Sequence, residues 1–228
     1  LRVDYLLGGD ANSETAFFVR MKEEPNYGGP RKNLIDPFGY GSYRYVAFDS
    51  ASGRKIFSRG FNSLYQEWRG TPEAKTMHRA YPMTAVMPFP KNTIRFVIEK
   101  RSFQTDQFES IFDRFINPAD YFILRESVSP VKVTMIREQG VPSEKVDVAF
   151  IAEGYTTVEM EKFIRDAQRM AEYFLSMQPY DELADRFNFY ALEAPSHESG
   201  VTIPGSDIWV NTNCRSSFYT FDMDRYLT

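Results

Sequence analysis

The 228-residue chain is poor in two side chains that often bind metals in proteins. It contains one cysteine, Cys214, and two histidines, His78 and His197. A single cysteine excludes an intrachain disulfide and a Cys-rich zinc knuckle. Two histidines so far apart exclude an H-E-x-x-H helix, which needs two imidazoles one turn apart. Because one thiol suits a reducing or an oxidising compartment, the cysteine content leaves the location open.

Long hydrophobic runs and basic runs are also missing. No stretch of about 18 apolar residues occurs, so we expect no membrane-spanning helix. No basic-then-apolar leader opens the chain at Leu1, and a first residue other than Met leads us to expect a trimmed start. No basic run alternates with aromatic residues, which argues against a nucleic-acid partner.

The sequence does contain enough apolar material for two domains. Hydrophobic residues make up 43% of the chain, and domains usually run to roughly 100–200 residues. Residues 1–128 carry 18 Lys and Arg against 15 Asp and Glu, a net charge of +3. Residues 129–228 carry 9 against 16, a net charge of −7. This difference predicts one domain over each segment.

The first segment, 1–128, has the pattern of an antiparallel β-sandwich. Short segments rich in Tyr, Phe and Val alternate with turn-forming pieces. Within 106–115, by contrast, apolar residues recur at steps of three and four, which predicts a short helix ended by Asn117 and Pro118. The predicted strands cover residues 2–7, 15–22, 42–48, 55–61, 80–88 and 93–101.

The second segment changes to a strand, helix, strand pattern. The apolar stretch 145–152 predicts a strand, and Thr156 with Glu159 forms the capping box of a helix that follows. Apolar residues then recur at three- and four-residue steps until Pro179 closes the run, and 187–193 predicts a second strand. Such a crossover joins parallel strands, so the second domain is predicted to be α/β and the whole chain α+β.

Polar loops after these strands are the candidate binding surfaces. Loops that follow the strands of α/β sheets often carry binding residues. Segments 196–201 and 211–217 are therefore interpreted as walls of a cleft. The candidate cleft-lining residues are Ser196, His197, Glu198, Ser199, Asn211 and Ser216.

Other reactive arrangements have weaker support. Ser216 or Ser217 would need His197 as base and an orienting carboxylate to form a catalytic triad, and Cys214 with His197 could form a thiolate pair. A metal site from His197, Glu198, Asp207 and Cys214 matches no known ligand spacing. No catalytic, cofactor-binding or metal-binding residue is assigned on these patterns.

Several motifs, in order along the chain, resemble a known peptidase family. They are similar to the IgA-endopeptidase-like zinc metallopeptidases, family sixty-four of the usual peptidase classification. The matching motifs in the amino-terminal part are GFNSLYQEW from Gly60, MPFPKNTIRFVIEKR to Arg101, and NPADYF at 117–122. Those of the second part are DVAFIAEGYT at 147–156, DRFN at 185–188, ESGV at 198–201, and SSF at 216–218 with DRYL at 224–227.

This resemblance implies an architecture and an activity. It implies an accessory β-sandwich followed by the first part of an α/β zinc-peptidase domain, from a parent that hydrolyses peptide bonds with zinc. Family members carry the H-E-x-x-H helix beyond the equivalent of Thr228, so this chain alone is expected to hold no zinc and to be inactive. The resemblance also implies a protein or peptide substrate and a secreted, periplasmic or cell-surface location.

Three hypotheses therefore stay open at this point. The first is the amino-terminal part of a zinc-dependent peptidase. The second is a non-catalytic β-sandwich binding module for a protein or a glycan, favoured by the aromatic-rich first segment. The third is a hydrolase complete within the chain, which would use His197 with Ser216 or Cys214.

Overall fold

The computed structural model describes residues 1–125 and 131–228. The chain divides into two compact units, Leu1–Ser127 and Val128–Thr228, called here the amino-terminal and carboxyl-terminal units. The predicted domain boundary, between 128 and 129, lies outside the described residues. The fold is β-rich and α+β, which confirms the predicted class. Within residues 1–125 and 131–228, no helix combines the length and apolarity of a membrane-spanning segment.

The amino-terminal unit contains two four-stranded sheets, in the orders β5-β1-β2-β8 and β4-β3-β6-β7. Neighbouring strands are antiparallel except for β2 and β8, which pair in parallel. A short helix, α1, follows β4. The elements are β1 (Arg2–Gly9), β2 (Glu14–Lys22), β3 (Tyr43–Asp49), β4 (Lys55–Phe61), α1 (Leu64–Arg69), β5 (Arg79–Val86), β6 (Ile94–Arg101), β7 (Phe108–Ile116) and β8 (Ile123–Leu124).

The core of this unit is built from aromatic and branched side chains of both sheets. Tyr5 of β1 and Tyr45 of β3 are buried, and the Tyr45 hydroxyl donates a 3.1 Å hydrogen bond to the carbonyl of Val86 on β5. That bond joins one sheet to the other. Tyr and Phe can fill such a core because each buries a large apolar ring, and the Tyr45 hydroxyl keeps a hydrogen-bond partner there. The predicted sandwich strands all form, with ends shifted by at most two residues.

The helix predicted over 106–115 is wrong, because this segment forms β7. It pairs with β6 from Arg101 opposite Phe108 to Ile94 opposite Ile116. The register shifts in the middle, so that Ile111 has no partner on β6. An extra residue of this kind breaks the two-residue alternation of a strand. The apolar steps of three and four therefore come from a β-bulge, and they imitate helical spacing.

The carboxyl-terminal unit contains a three-stranded sheet with one long helix. The elements are β9 (Lys132–Arg137), β10 (Val146–Ile151), α2 (Met160–Phe174) and β11 (Phe187–Glu193). The sheet order is β10-β11-β9, with β10 parallel and β9 antiparallel to β11. The predicted parallel crossover is confirmed. Strand β9 was not predicted, and α2 ends at Phe174, before the predicted stop at Pro179.

Helix α2 packs on one face of this sheet. Phe163, Ala167 and Ala171 are buried at helical spacing, and they lie against Phe189 and Ala191 of β11 in two adjoining clusters. The predicted capping box precedes the helix. The Thr156 backbone N–H donates to Glu159 at 2.9 Å, while the Thr156 side chain accepts from the Glu159 backbone. The helix thus begins where the sequence predicts.

Candidate functional site

The candidate site lies at the carboxyl ends of the parallel strands β10 and β11. Because these strands are parallel, both ends meet at the same edge of the sheet. The segments 152–156, 194–203 and 210–217 come together there, and the following contacts join them.

Glu153, two residues beyond the end of β10, is the centre of these contacts. One carboxylate oxygen accepts hydrogen bonds from the Thr212 hydroxyl and, at 3.0 Å, from the backbone N–H of Ser216. The other oxygen accepts from the backbone N–H of Cys214 at 2.8 Å. One carboxylate therefore fixes three positions of segment 210–217 to the end of β10.

These hydrogen bonds keep Glu153 ionised. Partial burial by itself would raise the pKa of this carboxyl group. The donors from Thr212, Cys214 and Ser216 outweigh that effect and lower the pKa of Glu153 to about 2. A carboxylate with so low a pKa, whose oxygens are already occupied, is suited to hold a loop in place. It is poorly suited to act as a general base near neutral pH.

Ser196 connects the same three segments from the other side. Its side chain is buried, and its hydroxyl oxygen accepts hydrogen bonds of 3.0 Å from the backbone N–H groups of Gly154 and Asn213. Its own N–H donates to the carbonyl of Tyr155 at 2.8 Å. The Ser196 hydroxyl is thus part of the framework behind the loops.

Glu198, Ser199 and Asn211 extend the network outward. The Asn211 N–H donates to the Glu198 carboxylate at 2.6 Å, and the Glu198 N–H donates to the Asn211 carbonyl at 3.2 Å. The Ser199 hydroxyl donates to Glu159 at 3.0 Å. This second bond fastens the loop after β11 to the first turn leading into α2.

Two glycines let the loops approach closely. The Gly200 N–H donates to the Gly154 carbonyl at 2.9 Å, and both residues have positive φ angles, +73° at Gly154 and +106° at Gly200. A Cβ atom at Gly154 would collide with the Gly200 carbonyl oxygen. Only glycine combines this backbone conformation with so close a contact at no cost.

Five of the six predicted cleft residues take part in this network. Ser196, Glu198, Ser199 and Asn211 make the contacts above, and Ser216 reaches Glu153 through its backbone N–H. His197 lies in the same loop and is exposed. The structure brings these residues to one edge of the sheet, and their role in lining a cleft stays a prediction.

The comparison with protein families agrees with the order of the two units. The family model described as Peptidase M64 N-terminus matches residues 1–113. The model described as IgA Peptidase M64 matches residues 134–228. The chain belongs to the M64 peptidase family. The family resemblance of the motifs is confirmed, and the network around Glu153 lies within the M64 peptidase match. No curated protein matches the chain.

Sequence reasoning missed Glu153 and Thr212, which are central to the hydrogen-bond network of the candidate site. Glu153 directly follows the apolar stretch 145–152 and precedes Gly154. A carboxylate at the carboxyl end of a predicted parallel strand could therefore have been recognised as a candidate site residue. Thr212 carried no such signal. Its contact with Glu153 joins residues 59 positions apart, which spacing along the chain does not reveal.

At the carboxyl ends of β10 and β11, the described residues form no zinc centre. Within residues 1–125 and 131–228, no three His, Cys, Asp or Glu side chains are grouped as metal ligands. At this edge the carboxylates of Glu153, Glu159 and Glu198 accept hydrogen bonds from the chain itself. The residues described here therefore do not fit a zinc ion without further ligands.

The same edge disfavours a cysteine nucleophile. Desolvation, followed by the hydrogen bond and the negative charge of Glu153, raises the pKa of the Cys214 thiol. A raised pKa reduces the thiolate population, and the thiolate is the reactive species. The hypothesis that Cys214 and His197 act as a catalytic pair loses support from this arrangement.

Proposed function

We propose that this chain supplies the accessory domain and the first part of the catalytic domain of a zinc-dependent peptidase that hydrolyses peptide bonds. The observation that carries the proposal is the Glu153 network at the carboxyl ends of β10 and β11, within the segment matched to the M64 peptidase domain. The match to the M64 N-terminus over 1–113 supports the accessory role of the first unit.

In this proposal the two edge loops form walls of the substrate cleft. Hydrogen bonds of Ser196 and Glu153 fix segments 196–201 and 211–217 to the end of β10. The side chains of His197 and Asn211 are exposed to solvent. Enzymes benefit from such fixed walls because a substrate is oriented without reordering the loops in each turnover. A protein or peptide is the substrate class that the family name supports.

The zinc ion and its H-E-x-x-H helix come, in this proposal, from polypeptide outside these 228 residues. Supporting this, the chain has only two histidines and its described residues hold no ligand cluster. Zinc in a peptidase polarises the scissile carbonyl and activates a water molecule. The chain's own residues would position the peptide. A secreted or periplasmic location rests on the resemblance alone and stays a prediction.

The test compares two proteins, the 228-residue chain and the product of the complete reading frame that contains it. Each is incubated with a quenched fluorogenic peptide library, with zinc and with a chelator. We expect hydrolysis only by the longer protein, lost with chelator and restored by zinc. A reading frame without two histidines spaced i, i+4 would refute the proposal. Chelator-resistant hydrolysis by the 228-residue chain would favour the self-contained hydrolase.

A further inference from the structure

The amino-terminal unit contains a cavity that the proposed peptidase function does not use. Its volume is about 530 Å³, within the roughly 300–1,000 Å³ common for small-molecule sites. Helix α1, the β1–β2 turn and the β6–β7 turn surround it, with the start of β3 between them. The lining is mostly polar, so the ligand chemistry can be deduced from its hydrogen-bonding groups.

The floor of the cavity is a buried, fully paired carboxylate. The Glu14 side chain is only 3% exposed. One of its oxygens accepts hydrogen bonds from the Tyr43 hydroxyl at 3.0 Å and from Arg69, and the other lies 3.2 Å from the Lys100 ammonium. Buried charges paired in this way hold their geometry, because breaking one contact leaves an uncompensated charge. The floor is therefore rigid.

The cationic groups of the lining already have partners. Arg69 also donates to the carbonyls of Asp10 at 3.1 Å and Ala11 at 3.2 Å. Arg101 donates to the Gly41 carbonyl at 3.1 Å and to the Asp106 carboxylate at 2.9 Å. An anionic ligand would have to compete with these contacts. The cavity consequently favours a neutral polar ligand over a phosphate or a carboxylate.

The rim provides amides and one aromatic ring. Asn12, Gln66 and Gln104 line the cavity, and each amide carries both donors and an acceptor. The Gln104 oxygen accepts a 3.1 Å hydrogen bond from the Ser102 hydroxyl, so its NH2 group is the part that would bond a ligand. Phe103, in the β6–β7 turn, is 88% exposed and lines the same cavity. A sugar ring presents hydroxyl groups that both donate and accept, and a face of C–H groups that packs on an aromatic ring. The rim therefore matches a carbohydrate on both counts.

We propose that this cavity is a binding site for a neutral carbohydrate, with Phe103 stacking on a sugar ring and Asn12, Gln66 and Gln104 bonding its hydroxyl groups. This function is separate from peptide hydrolysis, and it would let the accessory unit hold a glycosylated substrate or a polysaccharide surface.

The experiment exposes the labelled 228-residue chain to a glycan array of neutral and acidic oligosaccharides, followed by calorimetric titration of each retained neutral oligosaccharide. We expect retention of neutral glycans and a loss of affinity of roughly tenfold or more in Phe103→Ala, the size of effect expected for one aromatic contact. Gln104→Ala should also weaken binding. Both positions are exposed, so Phe103→Ala should keep the wild-type melting temperature, and Gln104→Ala should lower it only slightly through the lost Ser102 hydrogen bond.

Phe115→Ala is the matched control, since Phe115 is 64% exposed on β7 and is not among the residues that line the cavity. Its glycan affinity should equal that of the wild type. Retention of no glycan on the array overturns the proposal, as does neutral-glycan binding unchanged in Phe103→Ala. Retention of acidic glycans alone would also overturn it, in favour of anion recognition by Lys100 and Arg101. None of these outcomes depends on zinc or proteolysis, so the glycan experiments do not test the peptidase proposal.

Discussion

At the scale of single residues, Glu153 shows how one carboxylate can hold several positions of a loop. Its two oxygens accept from Thr212, Cys214 and Ser216, all in one loop. Removing its charge weakens all three hydrogen bonds together. The residue therefore offers a direct way to perturb the candidate cleft wall.

We expect Glu153→Gln to destabilise the carboxyl-terminal unit by about 1–3 kcal/mol, because an amide replaces an acceptor-only carboxylate and leaves donors poorly matched. Urea unfolding followed by circular dichroism measures the change. Glu172→Gln, at an exposed position of α2, is the control and should change stability by less than about 0.5 kcal/mol. Equal effects of the two substitutions would contradict the anchoring role.

The same carboxylate predicts a pH dependence. The folded-state pKa of Glu153 is about 2, below its ordinary value of 4.5. Its contribution to stability is therefore complete above pH 4.5 and is lost as the pH falls toward 2. Urea unfolding at several pH values should show a decline in this window that is smaller in Glu153→Gln. An identical decline in both proteins would assign the effect to other carboxylates.

Gly154 tests the close approach of the two loops. Gly154→Ala should destabilise the unit by about 1–3 kcal/mol, since the new methyl group meets the Gly200 carbonyl at a positive φ angle. Gly200→Ala is the matched control: its φ is also positive, but its Cβ would lie 4.0 Å from the nearest atom, on Val210. Thermal unfolding should rank Gly154→Ala as the more damaging change, and the reverse order would refute the collision.

At the scale of elements, the regular patterns were predictable and the irregular ones were not. Strand β11 and helix α2 follow from alternating or helical apolar spacing, with the capping box marking the helix start. Strand β7 was mistaken because Ile111 interrupts its alternation, and a bulge depends on the partner strand. Helix α1 is too short to show a period; its burial of Tyr65 and Trp68 becomes visible only in the folded unit.

The candidate site was predictable in place but not in detail. Polar loops after parallel strands indicated the correct edge of the sheet, and they included Ser196 and Asn211. The bonds within it mostly join side chains to backbone N–H groups, and those groups are the same for every residue type except proline. Sequence therefore does not indicate which donor a carboxylate will meet.

The capping box gives a prediction for α2. Thr156→Ala should cost about 0.5–2 kcal/mol, because the side chain no longer satisfies a free backbone N–H at the helix start. The neighbouring Thr157→Ala, at an exposed position, should cost less. Urea unfolding of the wild type and the two variants measures the loss of stability in each. A larger loss in Thr157→Ala would show that the cap does not stabilise the helix.

At the scale of the whole molecule, the absence of a ligand cluster in the described residues makes a prediction about metal content. After dialysis against micromolar zinc, the 228-residue chain should retain substoichiometric zinc by mass spectrometry, and His197→Ala should not change this value. One zinc ion per chain, lost in His197→Ala, would mean that the chain forms its own metal site. It would also revive the self-contained hydrolase hypothesis.

The long sequence separation of the Glu153 contacts sets an order of events during folding. Its partners lie 59, 61 and 63 positions away, and both α2 and β11 fall between. Closing so long a loop costs entropy, and the Glu153 contacts offset that cost only after the intervening crossover has formed. We therefore expect the loop to dock last. In stopped-flow experiments, Glu153→Gln should accelerate unfolding and leave the refolding rate almost unchanged.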